Sequence, residues 1–221
     1  MKQTGYRQLK KMRLHFMGIG GSGISAVAQM ALQAGATVSG CDQASSATTK
    51  MLAKLGIPIE IGHSPAHLAE ADALIYVPAA VAFNPRNPEL LAAREKGLLV
   101  MTWQEMLGQW LDGYCLLSVS GVHGKGTTTA MLALAMVDAG LDPTCELGAV
   151  VPRFGANYRI GQSSYFVNEA DEFNNNFWHY HPRLAIVTSV EFEHPEFFAD
   201  YREYLASFEH FVRGMDLTGD W

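Results

Sequence analysis

A glycine- and threonine-rich loop in the middle of the chain has the residue types needed to hold a phosphate group. The segment GVHGKGTTTA lies between the apolar run YCLLSVS and an Ala/Leu-rich helical pattern. Backbone N–H groups at a helix start attract anions, and the Lys125 ammonium can reach the outer oxygens of a bound phosphate. The segment therefore predicts a nucleotide-phosphate site.

The same loop departs from the standard phosphate-loop sequence. The standard form, G-x-x-x-x-G-K-S/T, would need glycine at position 119, which is Val119, and a hydroxyl residue at position 126, which is Gly126. That hydroxyl normally contacts a bound magnesium ion. We therefore expect a working loop with a weakened hold on the metal, in which the Thr127 hydroxyl or a water molecule completes the magnesium shell.

Two acidic segments follow apolar strand patterns later in the chain. VNEADEF places Glu169 and two further carboxylates after one strand, and VEFEH places two carboxylates and His194 after another. In a parallel sheet these strand ends lie at the same edge as the phosphate loop. Either cluster alone is more often a solvated loop, but their order after a phosphate loop predicts that they converge on Mg²⁺ bound to a triphosphate.

A second glycine loop lies near the start of the chain. Gly18, Gly20 and Gly23 form G-x-G-x-x-G after a strand pattern and at the start of a helix pattern, which allows a diphosphate to approach the helix N-terminus. Asp42 lies where a second strand would end, the usual position of a carboxylate that meets a ribose hydroxyl. These residues alone leave a dinucleotide site, a UDP-sugar site and a plain strand-to-helix turn open.

Composition excludes several classes of protein. The 221 residues are 48% hydrophobic and 17% charged, as in globular proteins with a core, and a net charge of −6 argues against binding to nucleic acid or anionic membranes. No uncharged apolar run approaches the ~18 residues of a membrane span. Cys41, Cys115 and Cys145 are far apart and show neither metal spacing nor a disulfide framework, which favours a cytoplasmic location.

The order of sequence patterns predicts an α/β protein with two domains. Short apolar runs alternate with helical patterns of about ten residues from Arg13 to Trp110, which is typical of βαβ units and a parallel sheet. The series restarts near Tyr114, so the boundary is expected at Asp112–Gly113. The second domain is short for a doubly wound fold, and we expect it to be truncated.

In sequence order, these motifs resemble those of the Mur ligase family, the ATP-dependent enzymes that build the peptidoglycan stem peptide. The resemblance is carried by HFMGIGGSGIS, VSGCD, IEIGHSPAHL, NPELLAAREKG, SVSGVHGKGTTTA, VNEADEFNNNF and IVTSVEFEH. It implies a Rossmann-like, parallel-sheet N-terminal domain at residues 1–112 that binds a UDP-sugar. A truncated P-loop α/β domain, the central ATP-binding domain of the family, would follow at residues 113–221.

The resemblance also implies the site residues. The UDP-sugar would bind at Gly18, Gly20, Gly21, Ser22, Gly23 and Asp42. ATP would bind at Gly121, Val122, His123, Gly124, Lys125, Gly126, Thr127 and Thr128. Lys125, Glu169 and His194 would be catalytic, and Glu169 and His194 would hold Mg²⁺.

The implied reaction joins L-alanine to the lactyl carboxylate of UDP-N-acetylmuramate through an acyl phosphate. The rest of the central domain and the C-terminal domain, which brings the amino acid, would be absent, so we expect this chain alone to be inactive. A recycling ligase that attaches a murein tripeptide to the same sugar shares these motifs and stays open as an alternative. A non-catalytic UDP-sugar-binding module and a nicotinamide-dependent oxidoreductase also stay open as alternatives. The Lys125 loop would have no role in an oxidoreductase. The sequence carries no signal for an oligomeric state.

Overall fold

A computed structural model of the protein describes residues 11–111 and 113–218. The chain divides between Trp110 and Leu111 into two units, and each unit contains one five-stranded sheet. The boundary expected at Asp112–Gly113 includes Asp112, which lies outside the described residues. Within the described ranges, no helix combines the length and the apolar character needed to cross a membrane.

The first unit contains a fully parallel sheet with the strand order β3-β2-β1-β4-β5. Its strands are β1 (Arg13–Met17), β2 (Thr37–Asp42), β3 (Ile59–Ile61), β4 (Ala73–Tyr76) and β5 (Leu99–Thr102). Its helices are α1 (Ser22–Gln33), α2 (Ala47–Lys54), α3 (Pro78–Phe83), α4 (Pro88–Glu95), α5 (Trp103–Trp110) and a short 3₁₀ helix, Pro65–Leu68. The strand order reverses between β1 and β4, which is the position where open α/β sheets bind ligands.

Local sequence sets several helix starts in the first unit. The Thr49 N–H donates to the Ser46 hydroxyl at 3.1 Å, and the Ser46 N–H donates to the Thr49 hydroxyl at 2.8 Å, which forms a capping box at α2. At α4, Asn87 Oδ1 accepts from the Glu89 N–H at 2.9 Å, directly before Pro88, whose fixed φ suits a first helical turn. This cap fixes the start of α4 and therefore the position of Glu89.

The second unit contains a mixed sheet with the strand order β10-β6-β9-β7-β8. Its strands are β6 (Cys115–Ser120), β7 (Thr144–Val151), β8 (Ala156–Arg159), β9 (Tyr165–Glu169) and β10 (Leu184–Val187). Its helices are α6 (Lys125–Asp138), α7 (Tyr201–Arg213) and a 3₁₀ segment, Phe173–His179. The β7–β8 pair is antiparallel and the other three pairs are parallel, so β6, β9 and β10 end at the same edge.

The predicted α/β class is confirmed, and the strands and helices expected around both glycine loops are present within a few residues of their predicted ends. The sequence patterns missed α3, β7 and β8. The six residues of α3 are too few to show a helical period, while β7 contains Gly148 and β8 has only four residues. The strand that precedes the acidic segment VEFEH ends at Val187, which leaves Thr188 and Ser189 in a loop.

Candidate functional site

The phosphate loop, defined here as Gly121–Gly126, connects β6 to α6 in the second unit. Gly121 has φ +121° and Gly124 has φ +81°, a region of backbone conformation that favours glycine. A Cβ atom at Gly121 would overlap Thr188 Oγ1 and would lie 2.8 Å from the Ser189 backbone nitrogen. Close packing against the segment after β10 therefore requires glycine at position 121.

The segment after β10 holds the first half of the phosphate loop. The Val122 N–H donates to Ser189 O at 3.1 Å, and the His123 N–H donates to Ser189 Oγ at 3.3 Å. The Thr188 hydroxyl donates to His123 O at 2.6 Å. The Val122 and His123 amides are therefore engaged within the protein, whereas the amides in the first turn of an α-helix have no acceptor inside that helix and could meet an anion.

The first turn of α6 also presents three threonines. Thr127 is exposed and Thr128 is half-buried. Thr129 is buried, and its hydroxyl donates to Lys125 O at 2.8 Å. Of the three hydroxyls, only those of Thr127 and Thr128 are placed to meet a ligand at the loop.

Lys125 forms an ion pair with a carboxylate that the sequence did not single out. Its Nζ lies 2.9 Å from Glu172 Oε1 and 2.8 Å from Glu172 Oε2, and the Glu172 side chain has no solvent exposure. The Tyr204 hydroxyl donates to Glu172 Oε1 at 3.5 Å. Burial, reinforced by the Glu172 charge, raises the pKa of Tyr204, so the phenol stays protonated and remains a donor.

Glu169 lies beside Gly126 of the phosphate loop. Glu169 Oε2 accepts the Gly148 N–H at 3.1 Å, and a Cβ atom at Gly126 would lie 3.2 Å from the same oxygen. A Cβ at Gly148 would lie 2.6 Å from it. Burial raises the pKa of Glu169, and the Gly148 N–H and the Lys125 charge act against that rise.

Three side chains near Lys125 have the donor atoms of a cation site. One ligand atom from each of Glu172, Glu193 and His194 lies within 4.8 Å of the others. His194 Nε2 is 4.0 Å from Glu172 Oε1 and 3.9 Å from Glu193 Oε2. The other ring nitrogen, Nδ1, lies 3.1 Å from Glu196 Oε1, a contact that orients the imidazole.

The structure thus places Lys125 and His194 on the same buried carboxylate, Glu172. Glu169 contacts the loop at Gly126 but does not belong to the two groups of three or more ligands found among the described residues. Glu172 and Glu193 were present in the predicted acidic segments, but the sequence does not show which carboxylate of each segment points inward. The donor set of carboxylates and imidazole is compatible with a divalent cation.

The first unit contains the other predicted site, the glycine loop, defined here as Gly18–Gly23. Gly18 has φ +79°, and its N–H donates to Cys41 O at 2.9 Å. The Gly20 N–H donates to Asp42 Oδ2 at 2.8 Å, so this carboxylate is bound to the loop itself. A Cβ at Gly23 would lie 2.5 Å from the Trp103 ring, which explains the third glycine by helix packing.

The N-terminus of α1 is compatible with an anion site. Its N-cap residue is Gly21, and no side chain caps the helix. A helix N-terminus without a side-chain cap can receive an anion such as a diphosphate. Ser22, the first residue of α1, is exposed.

Known proteins with similar sequence or structure share both units. Residues 13–114 match the family model described as "Mur ligase family, catalytic domain". The chain is 42% identical over 213 residues to UDP-N-acetylmuramate–L-alanine ligase of Symbiobacterium thermophilum, an alignment that covers 96% of this chain and 43% of the relative. The chain therefore spans less than half of that relative's length.

Two solved structures have the same fold. UDP-N-acetylmuramate:L-alanyl-gamma-D-glutamyl-meso-diaminopimelate ligase from Neisseria meningitides has a TM-score of 0.87 and 32% identity, over 95% of this chain and 70% of that one. UDP-N-acetylmuramate–alanine ligase from Thermotoga maritima has a TM-score of 0.86 and 32% identity, over 93% of this chain and 48% of that one.

Proposed function

Because this chain belongs to the Mur ligase family, we propose that it is the UDP-sugar-binding domain and the phosphate-loop part of an ATP-dependent ligase. The proposed reaction joins L-alanine to the lactyl carboxylate of UDP-N-acetylmuramate through an acyl phosphate. The observation that carries the proposal is the meeting of Lys125 and His194 at the buried Glu172, beside a glycine loop at a helix start. The relatives with about 41–42% identity, which are named for L-alanine, favour this substrate over a murein tripeptide.

The second unit has to bring an anionic carboxylate close to an anionic triphosphate. The Lys125 ammonium and the N-terminus of α6 offer positive charge at the same point, which offsets this repulsion. Glu172, Glu193 and His194, joined by Glu169, are the residues that would hold Mg²⁺. A bound Mg²⁺ ion would supply further positive charge next to the transferring phosphoryl group.

The first unit would bind the UDP-sugar at the glycine loop. The uncapped N-terminus of α1 would receive the diphosphate, and Asp42, which is already bound to the Gly20 N–H, would lie beside the nucleotide. The position of the loop at the reversal of strand order between β1 and β4 supports the same placement. The free thiols of Cys41, Cys115 and Cys145 support a cytoplasmic location.

Calorimetric titration of the chain with UDP-N-acetylmuramate tests the first part of this proposal. We expect one binding site per chain, and we expect Ser22→Asp to weaken binding by about tenfold or more. A carboxylate at a helix N-terminus favours the helix but repels a diphosphate, so the variant stays folded. Ala47→Asp, at the exposed start of α2, is the matched control.

Two results would contradict the proposal. NADH binding without any response to UDP-N-acetylmuramate would indicate a nicotinamide-dependent oxidoreductase. UDP-N-acetylmuramate binding together with no Mg·ATP binding, in a protein that also carries the remainder of the family's domains, would indicate a non-catalytic UDP-sugar-binding module.

A further inference from the structure

A cluster of metal-binding residue types lies inside the first unit, in the part of the sheet next to the glycine loop. We call it the Glu89 cluster, and its members are His15, Cys41, His63, His67 and Glu89. They come from five different segments, namely β1, β2, the loop after β3, the 3₁₀ helix and α4. The phosphate-loop and UDP-sugar proposals give these side chains no role.

The Glu89 carboxylate is at the centre of the cluster. His67 Nδ1 lies 2.7 Å and His15 Nε2 lies 3.1 Å from Glu89 Oε1. Cys41 Sγ and His63 Nδ1 each lie 3.0 Å from Glu89 Oε2, and 3.3 Å from each other. Each carboxylate oxygen therefore has two ligand-type atoms beside it.

The centre of the cluster is buried, while its His63 and His67 side chains are 11% and 14% exposed. The side chains of Cys41 and Glu89 have no exposure, and that of His15 is 1% exposed. Glu89 is thus a fully buried carboxylate whose two oxygens are contacted by three imidazole rings and one thiol.

His15 has the orientation of a metal ligand. Its Nδ1 lies 2.9 Å from the Ser39 hydroxyl, which fixes the ring. Its Nε2 points into the cluster and, among the described residues, makes no hydrogen bond, although Glu89 Oε1 is 3.1 Å away. A ring nitrogen held by an outer partner, with the opposite nitrogen unpaired and buried, is the arrangement of metal-binding histidines.

We propose that His15, Cys41, His67 and Glu89 form a binding site for a transition-metal ion, with Zn²⁺ as the ion that fits best. One ligand atom from each of the four lies within 4.8 Å of the others. Two imidazole nitrogens, a thiolate and a carboxylate oxygen make a four-ligand set of the kind that binds Zn²⁺ tetrahedrally. Metal binding would deprotonate the Cys41 thiol and release that proton to solvent.

Such an ion would cross-link the elements next to the glycine loop and stabilise the first unit. The Cys41 carbonyl accepts the N–H groups of Gly18 and Ile19, at 2.9 and 3.1 Å, so the cysteine that ligates the metal also holds the loop. The ion would join β1 and β2 to the 3₁₀ helix and α4. This inference is independent of the proposed ligase activity, because it concerns only the stability and metal content of the first unit.

Cobalt titration of the full 221-residue chain tests the site. After treatment with a chelator, the chain is expected to bind one Co²⁺ with the intense visible absorption of tetrahedral cobalt and a thiolate-to-cobalt charge-transfer band, both removed by Zn²⁺. We expect Cys41→Ser to lose the charge-transfer band, and His67→Ala to weaken Co²⁺ binding by ~100-fold or more. Cys115→Ser is the control for the thiol, and His194→Ala excludes binding at the cation group of the second unit.

The wild-type spectrum alone decides the question if the variants do not fold. Absence of Co²⁺ binding, or binding without a charge-transfer band, would overturn the proposal. So would a band that persists in Cys41→Ser or disappears in Cys115→Ser. An increase in melting temperature on addition of one equivalent of Zn²⁺ to the chelator-treated chain, retained in His194→Ala, would support it.

Discussion

The Glu169 carboxylate lies so close to Gly126 that a Cβ atom at position 126 would be 3.2 Å from Glu169 Oε2. The same oxygen is held at 3.1 Å by the Gly148 N–H, where a Cβ would come within 2.6 Å. Two glycines therefore accommodate one carboxylate at the phosphate loop. The hydroxyl that a standard loop has at position 126 is missing, but an acidic group lies close to the point where it would be.

Restoring that hydroxyl should strengthen the metal–nucleotide site. In a protein that also carries the remainder of the family's domains, we expect Gly126→Thr to tighten Mg·ATP binding by roughly tenfold, or about 1.4 kcal/mol. The end of the Glu169 side chain can move by the few tenths of an ångström that the added Cβ requires. Gly126→Ala adds the same crowding without the hydroxyl, and it should not tighten binding. Equilibrium titration with Mg·ATP distinguishes the two; equal or weaker affinity for the threonine variant would contradict the expectation.

Removing Lys125 should affect nucleotide binding and stability separately. Lys125→Met should abolish measurable Mg·ATP binding while UDP-N-acetylmuramate binding persists, because the glycine loop belongs to the other unit. It should also cost about 3 kcal/mol of unfolding free energy, because Glu172 is left buried and unpaired. Adding Glu172→Gln to Lys125→Met should recover most of that stability in urea unfolding without recovering ATP binding. Loss of both ligands in the single variant would argue against two sites.

Glu146 should make the second unit less stable as the pH rises. Its side chain is 2% exposed, and burial, with the nearby charges of Glu169 and Asp171, raises the pKa of Glu146 well above its ordinary value of 4.5. Above pH 4.5 the unfolded chain loses this proton while the folded chain retains it, so folding stability falls by up to about 1.4 kcal/mol per pH unit until the folded pKa is reached.

Substitution of Glu146 by glutamine removes that titration. We expect Glu146→Gln to raise the melting temperature at about pH 7 and to have little effect at about pH 4, where the wild-type carboxyl is protonated in both states. Glu209→Gln, on the exposed face of α7, is the control. A stabilisation that is the same at both pH values would show that charge on Glu146 is not the cause.

His194 offers a test of the cation group in the second unit. The residue has φ 58°, a conformation that asparagine also tolerates, so His194→Asn removes the imidazole with little backbone strain. We expect this variant to weaken Mn²⁺ binding, followed by electron paramagnetic resonance, by about tenfold or more. Glu196→Gln, which only changes the contact that orients the ring, should have a smaller effect. Unchanged Mn²⁺ affinity in His194→Asn would remove His194 from the metal site.

The sequence predicted the elements whose patterns are strong and local. β1, the glycine loop and α1 follow one another within about twenty residues, and β6, the phosphate loop and α6 repeat that order, so periodicity and glycine spacing were sufficient. The choice between Glu169 and Glu172 was beyond the sequence. They are three positions apart, and only the turn after β9 directs Glu169 to Gly148 and Glu172 to Lys125.

The Glu89 cluster was hidden for a related reason. Cys41 shows no metal spacing along the chain, because His15 lies on the neighbouring strand β1 and Glu89 lies on α4, and only the folded unit brings them together. Ligands that are close along one loop leave a spacing motif, whereas ligands assembled across parallel strands do not. Tertiary structure is therefore needed to find such a cluster.

The contact between Lys125 and Glu172 has a consequence for ligand discrimination. Without a ligand, the positive charge of Lys125 in the phosphate loop is balanced by the carboxylate of Glu172. A weakly charged solute such as chloride gains little by competing for that cation. A polyphosphate bound to a divalent metal could replace both partners of the ion pair. Its phosphate would pair with Lys125, and its metal would bind Glu172. We therefore expect the Lys125–Glu172 ion pair to favour a phosphate ligand that carries its own divalent metal over a simple anion.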